Sequence, residues 1–158
     1  MSNQPTLFTY MCDLKYVTDG DTVRLSWVDL GFSMNLHNVA VRIAEIDTPE
    51  SRINLKRYPE RTAEKELGLK AKARLKELLG AKAILKTQVS KKGEDMKGKF
   101  GRILGDFMTD DGRKCADILC EEGHAVAYYG GSKDDVQSQH MKNRLKLIKE
   151  GIVEGPAE

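Results

Sequence analysis

Three residues between positions 42 and 50 have the types and spacing needed to act on a phosphodiester. Arg42 lies in an alternating apolar stretch typical of a β-strand, while Asp47 and Glu50 flank Pro49, where a strand must end. Arginine can bind a phosphate through paired N–H groups, aspartate binds hard metal ions, and glutamate can act as a general base. These groups are what metal-assisted phosphodiester hydrolysis requires.

Two further stretches supply groups of the same kind. Residues 17–23 hold Asp19 and Asp21 on either side of Gly20, whose backbone can turn tightly between them. Residues 99–102, Lys-Phe-Gly-Arg, open another predicted strand and add a second guanidinium at Arg102.

The order of these motifs resembles the staphylococcal nuclease (thermonuclease) family. The chain reads Asp-Gly-Asp-Thr, then Arg-x4-Asp-Thr-Pro-Glu, and later Lys-Phe-Gly-Arg, and the similarity runs from about residue 8 to about residue 130. Each motif alone is weak, but three in the family's order make a strong signal. The resemblance implies an α+β fold, a five-stranded Greek-key barrel of the OB type with three α-helices.

The same resemblance implies a Ca2+ cofactor. Hard oxygen ligands favour Ca2+ or Mg2+, and Asp21 and Asp47 are the carboxylates expected to hold the ion. The resemblance adds the backbone carbonyl of Thr48 as a ligand. It also makes Asp19 an outer acid that contacts the ion through water.

The expected catalytic residues are Arg42, Arg102 and Glu50. The two arginines would clamp the scissile phosphate and bind more strongly as charge builds on its oxygens. Glu50 would orient or deprotonate the attacking water. The negative charges of Asp21, Asp47 and Glu50 outnumber the positive charges of the two arginines. The net charge of such a site is therefore slightly positive only when a divalent ion is bound.

Substrate contacts are expected from Lys99 and Tyr129. In the family these positions contact phosphate and pack against a nucleotide base, and an aromatic surface accepts any base. The chain departs from the family at Gly131, where another aromatic is common, and at Phe100, where tyrosine is common. Tyr128 is a candidate to compensate for the missing aromatic.

Two functions remain open at this stage. The first is a Ca2+-dependent nuclease that cleaves single-stranded DNA and RNA with low sequence specificity and leaves 3′-phosphate ends. The second is a catalytically weak or inactive OB-type module that binds nucleic acid. In the second case Arg42 and Asp47 simply pair across the sheet, and Asp19 and Asp21 only form a turn. The presence of all the expected acids and arginines favours the enzyme.

The elements that must position these groups follow from the apolar patterns. Strands are predicted at residues 7–17, 21–28, 34–46, 83–89 and 102–108, and extended chain at 125–129. Helices are predicted at residues 59–79, at residues 115–122, and from Ser132 onward. On the second strand, Val23, Leu25 and Trp27 should share a face. The first helix should bury Ala63, Leu67, Ala71, Leu75 and Leu78. The last should bury Val136, His140, Leu145 and Ile148.

Length and composition fit one domain over residues 1–158, with disordered tails expected at 1–6 and 153–158. The net charge is +2, which excludes a generally polycationic nucleic-acid coat but not a cation-lined cleft. The three cysteines suggest neither a disulfide framework nor a zinc pair, so free thiols are expected. The N-terminus resembles no signal peptide, and no run of about 18 apolar residues occurs. We therefore expect a monomeric, cytoplasmic protein that does not bind membranes.

Overall fold

The computed structural model describes residues 8–87, 101–128 and 131–153. Its strands are β1 (Thr9–Asp19), β2 (Thr22–Gly31), β3 (Met34–Ile43), β4 (Ile46–Asp47), β5 (Lys82–Thr87), β6 (Ile103–Met108) and β7 (Val126–Ala127). Its helices are α1 (Thr62–Leu78), α2 (Cys115–Glu122) and α3 (Lys133–Lys149), and a short 3-10 turn, Pro59–Arg61, leads into α1.

Five of the strands close into a barrel in the order β1-β2-β3-β6-β5. Strands β3 and β6 run parallel, and the other neighbouring pairs whose register is described run antiparallel. The short strands β4 and β7 pair separately in a two-stranded sheet. A closed five-stranded barrel with three helices confirms the predicted α+β fold of the OB type.

Alternate residues of the barrel strands point inward and form the core. Val23, Leu25, Val41, Leu85 and Phe107 are all fully buried. Helices α1 and α2 cover this core with further buried apolar side chains, including Leu75 and Leu119. Burying large apolar side chains contributes roughly 1.5–3 kcal/mol each, so the barrel is a stable base for the loops at its edge.

The second strand departs from the prediction at Trp27. Asp13 pairs with Trp27 while Leu14 pairs with Leu25, so Ser26 is an extra residue in β2. Such a bulge reverses the alternation. Val28 therefore points into the core and Trp27 is half-buried, so the prediction that Trp27 shares a face with Leu25 is wrong.

The third predicted strand, residues 34–46, is interrupted. Strand β3 ends at Ile43, and Glu45 has a left-handed backbone with φ +66°. The chain then continues as β4, which pairs with β7 rather than with the barrel. Arg42 and Asp47 consequently lie in two different sheets, not on one continuous strand.

The helices lie close to their predicted positions. Helix α1 buries Leu67, Ala71 and Leu75 as expected, and α2 has the predicted bounds and ends at Gly123 with φ +87°. Ser132 caps α3, since its hydroxyl accepts a hydrogen bond from the Asp134 N–H at 3.2 Å. None of the described helices is both long enough and apolar enough to cross a membrane.

The inward face of α3 differs from the prediction at one position. Val136 and His140 are buried as expected, but Leu145 is 68% exposed. Leu147 is 1% exposed in its place and packs with Leu67 of α1 and with Val153. This cluster attaches α3 to the rest of the molecule.

Replacing Leu147 with alanine should therefore destabilise the protein by about 2–5 kcal/mol, because it leaves a cavity between α3 and α1. Leu145→Ala removes the same side chain from a solvent-facing position and should change stability by less than about 0.5 kcal/mol. Urea denaturation of the two variants provides the comparison. Equal losses would mean that α3 is rotated from the position described here.

Candidate active site

A cavity of about 560 Å³ lies where β4, the β1–β2 turn, the start of α1 and the start of α3 meet. Its walls carry more acidic than basic side chains. The acids are Asp19, Asp21, Asp47, Glu50 and Glu64, and the bases are Arg61, Lys133 and the imidazole of His140. Thr48, Pro49, Val136 and Gln137 complete the lining. Four predicted site carboxylates thus share one concave surface.

Asp21 is buried and ties the β1–β2 turn to the loop after β4. One carboxylate oxygen accepts from the Thr22 hydroxyl at 2.9 Å, and the other accepts from the Thr48 backbone N–H at 3.1 Å. The same oxygen lies 3.4 Å from a terminal nitrogen of Arg42. These contacts hold the carboxylate at the cavity edge in a single orientation.

Asp47 is surrounded by cationic and donor groups. The Nε2 atom of His140 lies 2.8 Å from Oδ2, while Lys133 Nζ and Arg42 Nη2 lie 3.4 Å and 3.8 Å from Oδ1. Burial raises the pKa of Asp47, but the hydrogen bond from His140 and the charges of Lys133 and Arg42 outweigh it. The pKa therefore falls below its ordinary value. Asp47 is held as a carboxylate.

Arg42 lies beneath the turn between β3 and β4. It donates to the carbonyl of Ile43, and it donates to the carbonyl of Ile46 at 2.8 Å. One terminal nitrogen also forms ion pairs with Asp21 and Asp47. This single guanidinium connects the Asp21 carboxylate of the β1–β2 turn with the Asp47 carboxylate of β4, and it also donates to two backbone carbonyls.

Asp19 fastens the loop after β4 from the other side. Its carboxylate accepts from the Ser51 hydroxyl and from the Ser51 backbone N–H at 3.4 Å, and it pairs with Arg52 at 3.2 Å. Ser51 itself is buried. The Asp-Gly-Asp turn therefore holds the loop at both Thr48 and Ser51.

Glu50 is the most accessible of the four predicted carboxylates, with 53% of its side chain exposed. Arg61 lies 3.2 Å from Glu50 and also pairs with Glu64 at 2.8 Å. Hydrogen bonds to Glu64 and Glu50 raise the pKa of Arg61, so this cation stays charged. Arg61 links the exposed carboxylate to the start of α1.

Two glycines allow the backbones around the cavity to approach closely. A Cβ atom at Gly68 in α1 would lie 2.4 Å from the Glu50 carbonyl oxygen and 2.7 Å from that of Pro49. One at Gly20 would lie 2.6 Å from the Cβ of Ala71 and 3.0 Å from the Thr48 hydroxyl. From sequence, Gly68 looks like a weak point in a helix. In the structure it provides the space in which the site loop rests on α1.

Arg42 contacts Asp21 and Asp47 but is not among the described residues that line the cavity. Arg102 precedes β6, which pairs with the end of β3, and it is not among the described residues that line the cavity. Lys99, Phe100 and Tyr129 lie outside the described residues. Gly131 has open space around its backbone, and the ring of Tyr128 lies 4.6 Å from Lys133 Nζ.

The sequence did not identify several residues that line the cavity or hold its carboxylates. His140 was expected only as a packing residue of α3, and no role was assigned to Ser51, Arg61 or Lys133. Ser51 directly follows the acidic motif, and that adjacency was a usable signal. The other three come from helices whose docking positions no local pattern specifies.

The cavity fits a hard cation in the chemistry of its donors. Within the described residues, no three His, Cys, Asp or Glu side chains form a ready-made group around one point. Asp21 and Asp47 both contact the same Arg42 nitrogen, however, and offer carboxylate oxygens at the cavity. A Ca2+ ion takes six to eight oxygens, many of them from backbone or water, so two carboxylates suffice as the charged part of its shell.

All three cysteines are free thiols, as expected. Cys12 and Cys115 are buried and Cys120 is half-buried. None of them lines this cavity among the described residues.

The barrel and its three helices define an OB-type domain with an acidic cavity at one edge. A family model described as "Staphylococcal nuclease homologue" matches residues 40–152, and the chain belongs to that family. The match covers Arg42, Asp47 and Glu50 but begins after the Asp-Gly-Asp-Thr motif. No curated protein matches the chain at a significant level. Its broad class is therefore a nuclease or nucleic-acid-binding module.

Gly68→Ala tests the close approach of α1 to the site loop. Alanine is favoured over glycine within a helix by up to about 1 kcal/mol, so without the contact this change would stabilise the protein. Because the new methyl group would collide with the Glu50 carbonyl, we expect destabilisation of about 1–3 kcal/mol instead. Thermal unfolding measures the sign of the change.

Gly80→Ala is the matched control, since a Cβ there would meet its nearest neighbour, the Lys82 carbonyl oxygen, at an ordinary 3.5 Å. It should be tolerated. A more stable Gly68→Ala variant would contradict the described packing between α1 and the loop.

Proposed function

We propose that the protein is a Ca2+-dependent nuclease that hydrolyses single-stranded DNA and RNA with low sequence specificity and leaves 3′-phosphate ends. The observation that carries this proposal is the convergence of Asp19, Asp21, Asp47 and Glu50 on one cavity. Carboxylates repel one another, so a protein that gathers them in a small space needs cations there. The family match supports nucleic acid as the substrate class.

Asp21 and Asp47 would hold the ion, with the Thr48 carbonyl as a further ligand and Asp19 reaching it through water. When bound, Ca2+ would neutralise phosphate charge and lower the pKa of nearby water. The hydrogen bonds from Thr22 and the Thr48 N–H fix Asp21 before any ion arrives. A fixed carboxylate loses little freedom on binding, which favours affinity.

Arg42 and Arg102 are proposed to bind the scissile phosphate. The bonds to Ile43 and Ile46 use two of the five N–H groups of Arg42 and hold its plane in place. A preorganised guanidinium acts on charge that develops in the transition state without having to reorganise. Arg102 directly precedes β6, the strand in which Leu104 pairs with Arg42 of β3.

Glu50 is proposed to orient or deprotonate the attacking water. Its side chain is exposed at the cavity, where water has access, while its backbone is fixed against Gly68. Arg61 holds one carboxylate oxygen, which leaves the other able to accept a proton from water. Attack on phosphorus would then expel the 5′ oxygen.

Lys99 and Tyr129 remain the proposed substrate contacts. A lysine that binds phosphate and an aromatic that stacks on any base would give affinity without sequence preference. We further propose that the protein acts as a cytoplasmic monomer without a membrane partner.

A second candidate is an OB-type module that binds nucleic acid without cleaving it. The observation that favours it is the engagement of Arg42, whose guanidinium contacts backbone carbonyls and both carboxylates. An arginine used to hold the turn would be less able to clamp a phosphate. The accessible position of Glu50 favours the enzyme instead.

Labelled single-stranded DNA incubated with the protein and Ca2+ should be cut, and EGTA should abolish cleavage because the proposed ligands are all hard oxygens. Mg2+ should support little turnover. Gel electrophoresis of the fragments, with and without phosphatase, identifies the 3′-phosphate ends.

Three results bear against this proposal in different ways. Full activity in EGTA would remove the metal assignment, and a requirement for Zn2+ would replace it. Binding of the DNA in Ca2+ without any cleavage would favour the non-catalytic module.

Two substitutions separate the proposed base from the proposed ligand. Glu50→Gln should lower the single-turnover rate roughly 10²–10⁴-fold, the usual effect of losing a general base, while Ca2+ affinity changes little. Asp21→Asn should weaken Ca2+ binding directly. Rapid-quench cleavage and Ca2+ titration of both folded variants provide the measurements.

If Glu50→Gln lost Ca2+ binding while Asp21→Asn kept it, the two roles would be exchanged. The enzyme class would survive that result, but the assignment of base and ligand would not.

A further inference from the structure

His140 contacts Asp47 from the inward face of α3. Its side chain is 2% exposed, and its Nε2 atom lies 2.8 Å from Asp47 Oδ2. An ionised carboxylate can only accept hydrogen bonds, so Nε2 must carry the proton and donate. The Nδ1 atom is buried and has no hydrogen-bond partner among the described residues, which fits a ring whose proton is on Nε2.

We propose that His140 is a positioning residue that holds Asp47 in the orientation needed to bind Ca2+. This inference rests on the proposed function, since it assigns a role toward the ion proposed for this cavity. His140 itself would not touch the ion or the substrate. It would act by restricting the carboxylate of Asp47.

The first argument concerns the two oxygens of Asp47. Oδ2 is committed to His140, whereas Oδ1 lies within 3.4 Å of Lys133 Nζ and 3.8 Å of Arg42 Nη2. The oxygen that is not held by the imidazole is thus Oδ1, where an incoming cation would replace the contact with Lys133 Nζ. His140 leaves Asp47 with one oxygen for an incoming cation and prevents rotation about the Cβ–Cγ bond.

The second argument concerns what holds His140. On α3 it lies between Val136 and Leu147, both buried, and Leu147 packs against Leu67 of α1. One turn beyond, the Asn143 side chain donates to the Ala125 carbonyl at 3.5 Å, just before β7. Because β7 pairs with β4 and β4 carries Asp47, this contact links α3 to the strand of Asp47. His140 and Asp47 therefore belong to one packed unit.

Outer partners of metal ligands fix ligand orientation, and losing one typically weakens metal binding about 10–100-fold. His140→Leu removes the donor while keeping an apolar side chain of comparable size. His140→Gln retains an amide N–H able to reach Asp47. Calorimetric titration of Ca2+ into the purified proteins should show 10–100-fold weaker binding for His140→Leu and near-normal binding for His140→Gln.

His124→Leu is the matched control, since His124 is another buried histidine and is not among the residues that line the cavity. Its Ca2+ affinity should equal that of the parent protein. Circular dichroism establishes that each variant is folded. If His140→Leu does not fold, His140→Asn replaces it, because its amide is polar but shorter than that of glutamine and should not rescue binding.

The metal-free protein provides an independent measurement. Two-dimensional ¹H–¹⁵N NMR of the imidazole rings should find His140 protonated at Nε2, as donation to Asp47 requires. Protonation at Nδ1 alone would overturn the proposal whatever the Ca2+ data.

Failure of this inference can be distinguished from failure of the proposed function. If the parent protein binds Ca2+ and cleaves DNA while folded His140→Leu binds Ca2+ equally well, the role of His140 is overturned and the nuclease stands. If the parent protein does not bind Ca2+, the proposed cofactor and this inference both fall. Weaker Ca2+ binding by His140→Leu, together with near-normal Ca2+ binding by His140→Gln, supports the positioning role of His140.

Discussion

Gathering four carboxylates around one cavity is the constraint on which the site depends. Asp19, Asp21, Asp47 and Glu50 repel one another, and partial burial strengthens that repulsion. Each carboxylate therefore contacts a hydrogen-bond donor or a cation that offsets this repulsion. Ser51 contacts Asp19, Arg42 contacts both Asp21 and Asp47, His140 contacts Asp47, and Arg61 contacts Glu50. The donors come from different elements, so the site can form only when the elements around the barrel are in place.

Close backbone packing then sets where the carboxylates lie. The loop that carries Thr48 and Glu50 rests directly on α1 because Gly68 has no side chain, and the Asp-Gly-Asp turn approaches through Gly20. A side chain at either glycine would push the loop away from the turn. The helix-propensity cost of Gly68, up to about 1 kcal/mol, is therefore linked to the geometry of the cavity.

Much of the fold and the chemical character of the site follow from sequence alone. Alternation predicted the barrel strands, and the acidic motifs identified the residues that converge on the cavity. The failures have tertiary causes. The bulge at Ser26 and the left-handed backbone at Glu45 change the phase of a strand without a glycine or proline to mark them. Leu147 is buried and Leu145 is exposed because of where α1 lies. The sequence of α3 alone does not specify that position.

The same limit explains why His140 was predicted to be buried but not to be part of the site. A histidine on the inward face of a helix has the pattern of a core residue, and only docking decides what it meets. Strand β4 contains two residues and pairs only with β7 among the described strands, so its own hydrogen bonds do little to fix Asp47. The hydrogen bond to His140 adds a connection to a helix of seventeen residues that is packed on α1. A short strand can hold a partly buried carboxylate in one orientation because a much larger element supports it from behind.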